Sequence, residues 1–151
     1  MKLFQVSDMI WRGSHPETWH DIMDLYATGI KNILNLESGL YELLQADITH
    51  ETNLAKSHNI NFERLKMSYV LPPTYEEMCY ALDWLEHNIG PTFIHCWSGV
   101  DRTGAIIAAV RVDFFHWPVD EAMEEMQKMG HHWYLKWWDR FIERDLNKLR
   151  G

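Results

Sequence analysis

The stretch that most constrains this chain runs from Thr92 to Trp117. A short apolar run, Thr92-Phe93-Ile94, leads into His95-Cys96-Trp97-Ser98-Gly99-Val100-Asp101-Arg102-Thr103-Gly104, and an apolar segment continues to Trp117. The run is β-rich and reads as a sheet interior, while Gly104 to Trp117 is spaced for a buried helix. The rest of the chain alternates in the same way. Met9-Ile10-Trp11 predicts a short strand, and a helix follows from Pro16 to about Thr28, with Trp19, Ile22, Met23, Leu25 and Tyr26 at helical spacing and Gly29 as its stop. Ile30 to Leu36 predicts a strand, Glu37 to His58 one or two helices on a broken pattern, and Ile60 to Met67 another strand, with Pro72-Pro73 beyond it. Thr74 and Glu77 form a capping-box pattern for a helix closed by Gly90-Pro91, and two helices, about Val119 to Met129 and Trp133 to Leu149, finish the chain. The expected architecture is α/β: a central, mostly parallel sheet of four to five strands flanked by helices, with a helical C-terminus. Its sites should gather at the carboxyl ends of strands, where the segment after Ile94 lies.

The 151 residues are expected to form a single domain, 1–151, since no linker or internal repeat divides them. The longest apolar stretch, Ala105 to Val110, is far short of the roughly 18 residues that cross a bilayer, so no stable membrane insertion is expected. The N-terminus has one basic residue and no apolar core, which argues against a cleaved secretory signal and for a cytoplasmic protein. A net charge of -8, from 14 Lys+Arg against 22 Asp+Glu, speaks against nucleic acid as a partner. Two cysteines, Cys79 and Cys96, are too few for a disulfide scaffold, so interest falls on whether one is a reactive thiol.

A loop entering a helix N-terminus turns successive backbone N–H groups toward a tetrahedral anion, and the helix dipole reinforces them. Gly99 allows the tight turn. The same field, with Arg102, favours the thiolate of Cys96 and makes it a nucleophile. Arg102, six residues on, can bring its planar fork over the anion and hold two oxygens at once, which lysine cannot. Thr103 and Ser98 are candidate hydrogen-bond donors to sulfur, and His95 is placed to fix the loop from behind.

The segment resembles the H-C-x5-R-(S/T)-G signature loop of the cysteine-dependent protein tyrosine phosphatase superfamily, most closely its small, atypical dual-specificity branch. Ile10-Trp11-Arg12-Gly13-Ser14-His15-Pro16 is similar to that family's opening motif, and Gly29 to Leu36 to its first long central strand, so the resemblance covers most of residues 9 to 117. It implies a phosphomonoester hydrolase in which Cys96 attacks phosphorus and water hydrolyses the resulting phosphocysteine, with no metal and no cofactor. Arg102 and the loop from Trp97 through Ser98, Gly99, Val100 and Asp101 would bind the phosphate. The expected partner is a phosphorylated protein or a small phosphomonoester. Because the loop supplies no extra cation, phosphotyrosine or a broad aryl-phosphate specificity is favoured over phosphoinositides and inositol phosphates.

The general acid departs from the family pattern. Dual-specificity enzymes carry an Asp a few residues ahead of a proline-containing loop, and laying Pro72-Pro73 on that loop puts Tyr69 at the Asp position. No Asp or Glu occurs from Arg64 to Tyr75. Asp101 ranks first as the acid, by resemblance to the myotubularin-like lipid phosphatases, which also carry Asp directly before the Arg. Tyr69 ranks second and Glu76 third. Asp101 can equally be a structural cap that binds loop amides, and loss of the usual acid leaves open a phosphate-binding pseudophosphatase. A rhodanese-like sulfur carrier also places Cys in an anion loop, although the Arg102-Thr103-Gly104 continuation favours the phosphatase. The histidines, including His131-His132, His15 with His20 and His50 with His58, form no ligand pattern and read as caps and surface. The aromatics Trp133, Tyr134, Trp137, Trp138 and Phe141 read as helical packing, one edge of which can line the cleft.

Overall fold

The computed structural model describes residues 1–39 and 48–150, so residues 40–47 of the helical segment expected from Glu37 to His58 lie outside the described residues. Among the described residues, five strands form one mixed sheet in the order β1-β2-β5-β3-β4. They are β1 (Leu3–Gln5), β2 (Ile10–Gly13), β3 (Asn32–Glu37), β4 (Asn61–Met67) and β5 (Thr92–His95). Only β1 runs antiparallel, against β2; the other neighbours are parallel. This edge strand was not expected from the sequence: three residues, Leu-Phe-Gln, are too short for any alternation to show.

The helices are α1 (Trp19–Thr28), α2 (Ile48–Ser57), α3 (Tyr75–His87), α4 (Asp101–Asp113), α5 (Val119–Lys128) and α6 (Asp139–Arg150). The expected punctuation is present. Thr18 and Asp21 form a capping box at α1, Gly29 ends it in the left-handed region, and Thr74 with Glu77 boxes the start of α3. Strand alternation divides the core into two layers. Ile33 and Phe93 pack with Ile22, Leu25 and Ala55 under α1 and α2, whereas Leu34 and Ile94 pack with Met78, Ile106 and Ile142 under α3, α4 and α6.

Several boundaries differ from the expectation, α4 ending at Asp113 rather than Trp117 and α1 starting at Trp19 among them, and three bear on the site. Strand β3 extends to Glu37, which is fully buried at its end rather than opening a helix. Helix α4 starts at Asp101, not Gly104, so Asp101, Arg102 and Thr103 form its first turn. The last helix starts at Asp139, because Trp133–Trp138 winds as a 3-10 helix. At three residues per turn, Leu135 and Trp138 fall on one side, where both line the same cavity.

Helix α4 is buried on every side from Asp101 through Val110, which makes it the post around which the other layers pack. Ile106→Ala is expected to cost about 2–5 kcal/mol, read as a lower urea midpoint with an unchanged denaturant slope.

Candidate active site

Parallel pairing brings the carboxyl ends of β2, β5, β3 and β4 together, with Gly13 beside His95 and Asn35 on its other side. The chain leaves β5 at His95 and turns through residues 96–100 into α4. Two carbonyls of this loop are turned away from its hollow side. Trp97 O accepts from the His15 N–H at 3.0 Å, and Gly99 O accepts from Arg12 Nη2 at 3.0 Å. In a trans peptide the N–H points opposite to the C=O, so the amides of Ser98 and Val100 face the hollow. Gly99 has φ 78°, and a Cβ there would collide with the backbone of Gly13. The N-cap residue of α4, Val100, makes no side-chain capping bond, and the first turn, Asp101 to Thr103, is buried.

Cys96 is 1% exposed and its Sγ accepts a hydrogen bond from Thr103 Oγ1 at 3.1 Å. Arg102 is also buried, and its Nη1 approaches the carbonyls of Leu36 at 3.5 Å and Met67 at 3.4 Å, at the ends of β3 and β4. Cys96, Arg102, Trp97, Ser98, Asp101 and Tyr69 line one cavity of about 240 Å³, together with His132, Tyr134, Leu135 and Trp138. The expected loop residues Gly99 and Val100 are not among the residues lining this cavity and border a separate hollow with Phe4 and Met129. Glu76 does not line the cavity, nor does Lys66 or Lys136, and Arg12 sits behind the loop.

Behind the loop lies a buried charged cluster. His95 Nε2 donates to Glu51 Oε2 at 2.6 Å, and His95 Nδ1 donates to its neighbour, Cys96 O, at 3.1 Å. Glu37 Oε1 is 2.6 Å from His15 Nδ1 and 3.4 Å from His95 Nδ1, while Asn35 Nδ2 donates to Glu51 Oε1 at 2.8 Å. Burial opposes the charge on His95, but Glu51 and Glu37 outweigh it and push its pKa up to about 10. Burial likewise opposes ionisation of Glu37, and hydrogen bonds from His15 and His95 bring it down to about 2. The reading of His15 as a cap or surface residue is corrected, since its ring is buried and stacks on Trp97 at 5.0 Å. His15, Glu37 and His95 offer ligand-type atoms within 4.8 Å of one another; Glu37 Oε1 pairs with the two histidines, while its Oε2 is buried with no hydrogen-bond partner.

Asp101 lies on the other side of the loop and is clamped by the paired histidines. Its Oδ1 accepts from His131 Nδ1 at 2.8 Å and from the His132 amide at 2.9 Å, and its Oδ2 from His132 Nδ1 at 2.6 Å. Burial favours the neutral acid, yet the bonds from His131 and His132 outweigh it and hold the pKa below the ordinary carboxylate value. His131 is buried, and despite that burial Asp101 and then Asp139 raise its pKa. The reading of His131-His132 as cap and surface missed this pair. A signal existed in the sequence: two histidines directly after a helix-stopping glycine, Gly130, with φ 101°. The C-terminal aromatics divide as well, with Trp138 fully buried and Tyr134 on the cavity wall, while Trp133 is 84% exposed.

A family model described as "Polymorphic toxin system, DSP-PTPase phosphatase" matches residues 10–114. The chain belongs to this family, and with it to the cysteine-based phosphatases. No curated protein matches the chain. Among solved structures, TpbA of P. aeruginosa is similar at 20% identity and TM-score 0.79, over 98% of this chain and 88% of TpbA. The core catalytic domain of the PP-IP phosphatase SIW14 from S. cerevisiae is similar at 22% identity and TM-score 0.74, over 93% of this chain and 83% of that one. Tk-PTP in its active form is 16% identical with TM-score 0.78, over 97% of this chain and 96% of that one. At these identities the likeness is one of fold.

Two expectations follow from the loop and its backing. Gly99→Ala should destabilise the protein by more than about 1 kcal/mol, through the φ and the contact with Gly13, and should weaken vanadate binding in a titration. The charged cluster should confine stability to a pH window. Glu37 contributes above its unfolded value of 4.5 and loses that contribution as pH falls toward about 2. His95 contributes fully below its unfolded value of 6.5 and loses it as pH rises toward about 10. Thermal melts across pH should therefore be highest between these unfolded values, and Glu37→Gln should flatten the acid side.

Proposed function

We propose that the protein hydrolyses phosphomonoesters with an aromatic leaving group, phosphotyrosine foremost, through a phosphocysteine on Cys96. The observation that carries this reading is the cavity itself: a buried thiol and guanidinium at its base, walled by Tyr69, Trp97, Tyr134 and Trp138. An aromatic slot of this kind favours a flat aryl ester, whose ring packs against the walls as its phosphate reaches the loop. The TpbA structure in complex with pTyr supports such a ligand on this fold. SIW14, described as a PP-IP phosphatase, represents the inositol-phosphate reading. Polyphosphorylated rings call for several cations, and Arg102 is the one Lys or Arg among the residues lining this cavity.

Sulfur attacks phosphorus in line with the leaving oxygen, while the inward amides and the Arg102 fork take up charge on the three remaining oxygens. Water then displaces sulfur. The bond from Thr103 Oγ1 stabilises the thiolate both as nucleophile and as leaving group. The same reading takes residues 1–151 as one phosphatase domain acting on phosphorylated protein in the cytosol, where a free thiol persists. No helix among the described residues is long and apolar enough to cross a membrane.

Steady-state hydrolysis of p-nitrophenyl phosphate, a phosphotyrosine peptide and inositol hexakisphosphate tests this. Cys96→Ser is expected to lower kcat on the order of 10⁴-fold or more, and Arg102→Lys roughly 10²–10³-fold. Turnover that survives Cys96→Ser, or saturable binding of the phosphopeptide with no turnover by the wild type, overturns the proposal. A preference for the inositol phosphate overturns its substrate class alone, and sulfur transfer from thiosulfate identifies the rhodanese-like alternative.

A further inference from the structure

We infer that His132, oriented by the ionised Asp101, is the general acid and base of this site, a role that rests on the phosphatase reading above. Asp101 is the one carboxylate among the residues lining the cavity. Both of its oxygens are occupied by donors, and those donors favour its anionic form, so it holds no proton to give at neutral pH. The proton it was expected to supply has a neighbouring source. The His132 ring lines the cavity with Cys96 and Arg102, and its side chain is 38% exposed, open enough for a substrate to reach.

Three contacts fix that ring. Its Nδ1 is 2.6 Å from Asp101 Oδ2, its own amide binds Asp101 Oδ1 at 2.9 Å, and its face stacks on Tyr134 at 5.0 Å and 25°. With Nδ1–H donating to the carboxylate, Nε2 on the ring's opposite edge is the atom left to exchange a proton with substrate. Asp101, Cys96 and Arg102 from the loop and α4, Tyr69 from the β4–α3 connection, and Tyr134 from the 3-10 helix that follows His132 line the same cavity as its ring. His131 lies behind Asp101 and has Asp139 Oδ1 at 3.0 Å from its Nε2.

The steps balance without another reagent. As the Cys96 thiolate forms the S–P bond and the P–O bond to the leaving group breaks, the leaving oxygen takes the proton from His132 Nε2. The neutral Nε2 then removes a proton from water as its oxygen bonds to phosphorus and the S–P bond breaks, which returns the thiolate and the imidazolium. Asp101 remains ionised throughout and acts as a positioning residue.

The test uses the full chain with two aryl phosphates that share a ring but differ in leaving-group basicity, phenyl phosphate and p-nitrophenyl phosphate. His132→Gln is expected to lower kcat for phenyl phosphate about 10²–10³-fold and for p-nitrophenyl phosphate by less than about 10-fold, since the better leaving group departs unprotonated. Asp101→Asn should show the same selectivity in weaker form, and the double variant should add little to His132→Gln alone. Unchanged inhibition by vanadate, read in the same assay, confirms that the loop still folds and binds. Equal losses on both substrates, or no loss in His132→Gln, overturn the inference while leaving the phosphatase intact. Selective loss in Asp101→Asn without one in His132→Gln also overturns it and makes Asp101 the acid. Absence of any Cys96-dependent turnover in the wild type overturns both readings.

Discussion

The site depends on the ion pairs buried behind its loop. His95 closes β5, and its ring is held by Glu51 of α2 and approached by Glu37 at the end of β3, which in turn binds His15 beyond β2. Four parts of the chain far apart in sequence are thereby tied at one point directly behind Cys96. Charges so buried are costly unless each meets an opposite charge and its remaining hydrogen bonds are made. Here the imidazolium uses both nitrogens, one on Glu51 and one on the Cys96 carbonyl. The consequence is geometric rather than merely stabilising: the carbonyl of the nucleophile's own residue is pinned backward, and the strand passes into the loop in one conformation.

The rest of the loop is built by the same rule. Arg12 and the His15 amide take the carbonyls of Gly99 and Trp97, and these bonds turn the opposite faces of those peptides toward the cavity. Arg12 is 2% exposed, and burial lowers its pKa, yet its charge interacts with Cys96 from behind while Arg102 stands on the substrate side. The two arginines therefore have separate tasks. One shapes the loop, and the other lines the cavity beside Cys96.

Much of this was legible in the sequence because it depends on local order. The run from Thr92 to Gly104 specifies strand, loop and helix within a few residues, and Gly29 and Thr74 mark their helix ends with the residue types those ends require. The parts that were not legible depend on distance. Glu37 and Glu51 look like ordinary helix-surface acids until the sheet brings them against His95, and their polarity hid the extension of β3. The start of α4 was placed three residues late because Asp101 and Arg102 are polar and break an apolar pattern, although both are buried. Likewise the spacing of Trp133 to Trp138 fits an α-helix nearly as well as the 3-10 helix that forms. Its choice is made by tertiary contact: Trp138 is buried with Nε1 on Val70 O at 3.1 Å, and His132 is fastened to Asp101.

That fastening also explains why an acid carried by His132 suits the place better than one carried by Asp101. A carboxylic acid that gives up its proton becomes an anion, and Asp101 would do so beside a phosphate that is itself gaining negative charge on its oxygens. An imidazolium that gives up its proton becomes neutral, so no new negative charge appears at the cavity wall. The carboxylate meanwhile keeps a constant charge, shared between His131 and His132, and holds the ring in one tautomer through both displacements. The residues after His132 supply Tyr134, Leu135 and Trp138 to the cavity wall, and Trp138 is anchored there by its Nε1 bond to Val70 O. The imidazole, the thiol and the guanidinium share one cavity with these aromatic walls, which is what attack at phosphorus and proton transfer on a single substrate require.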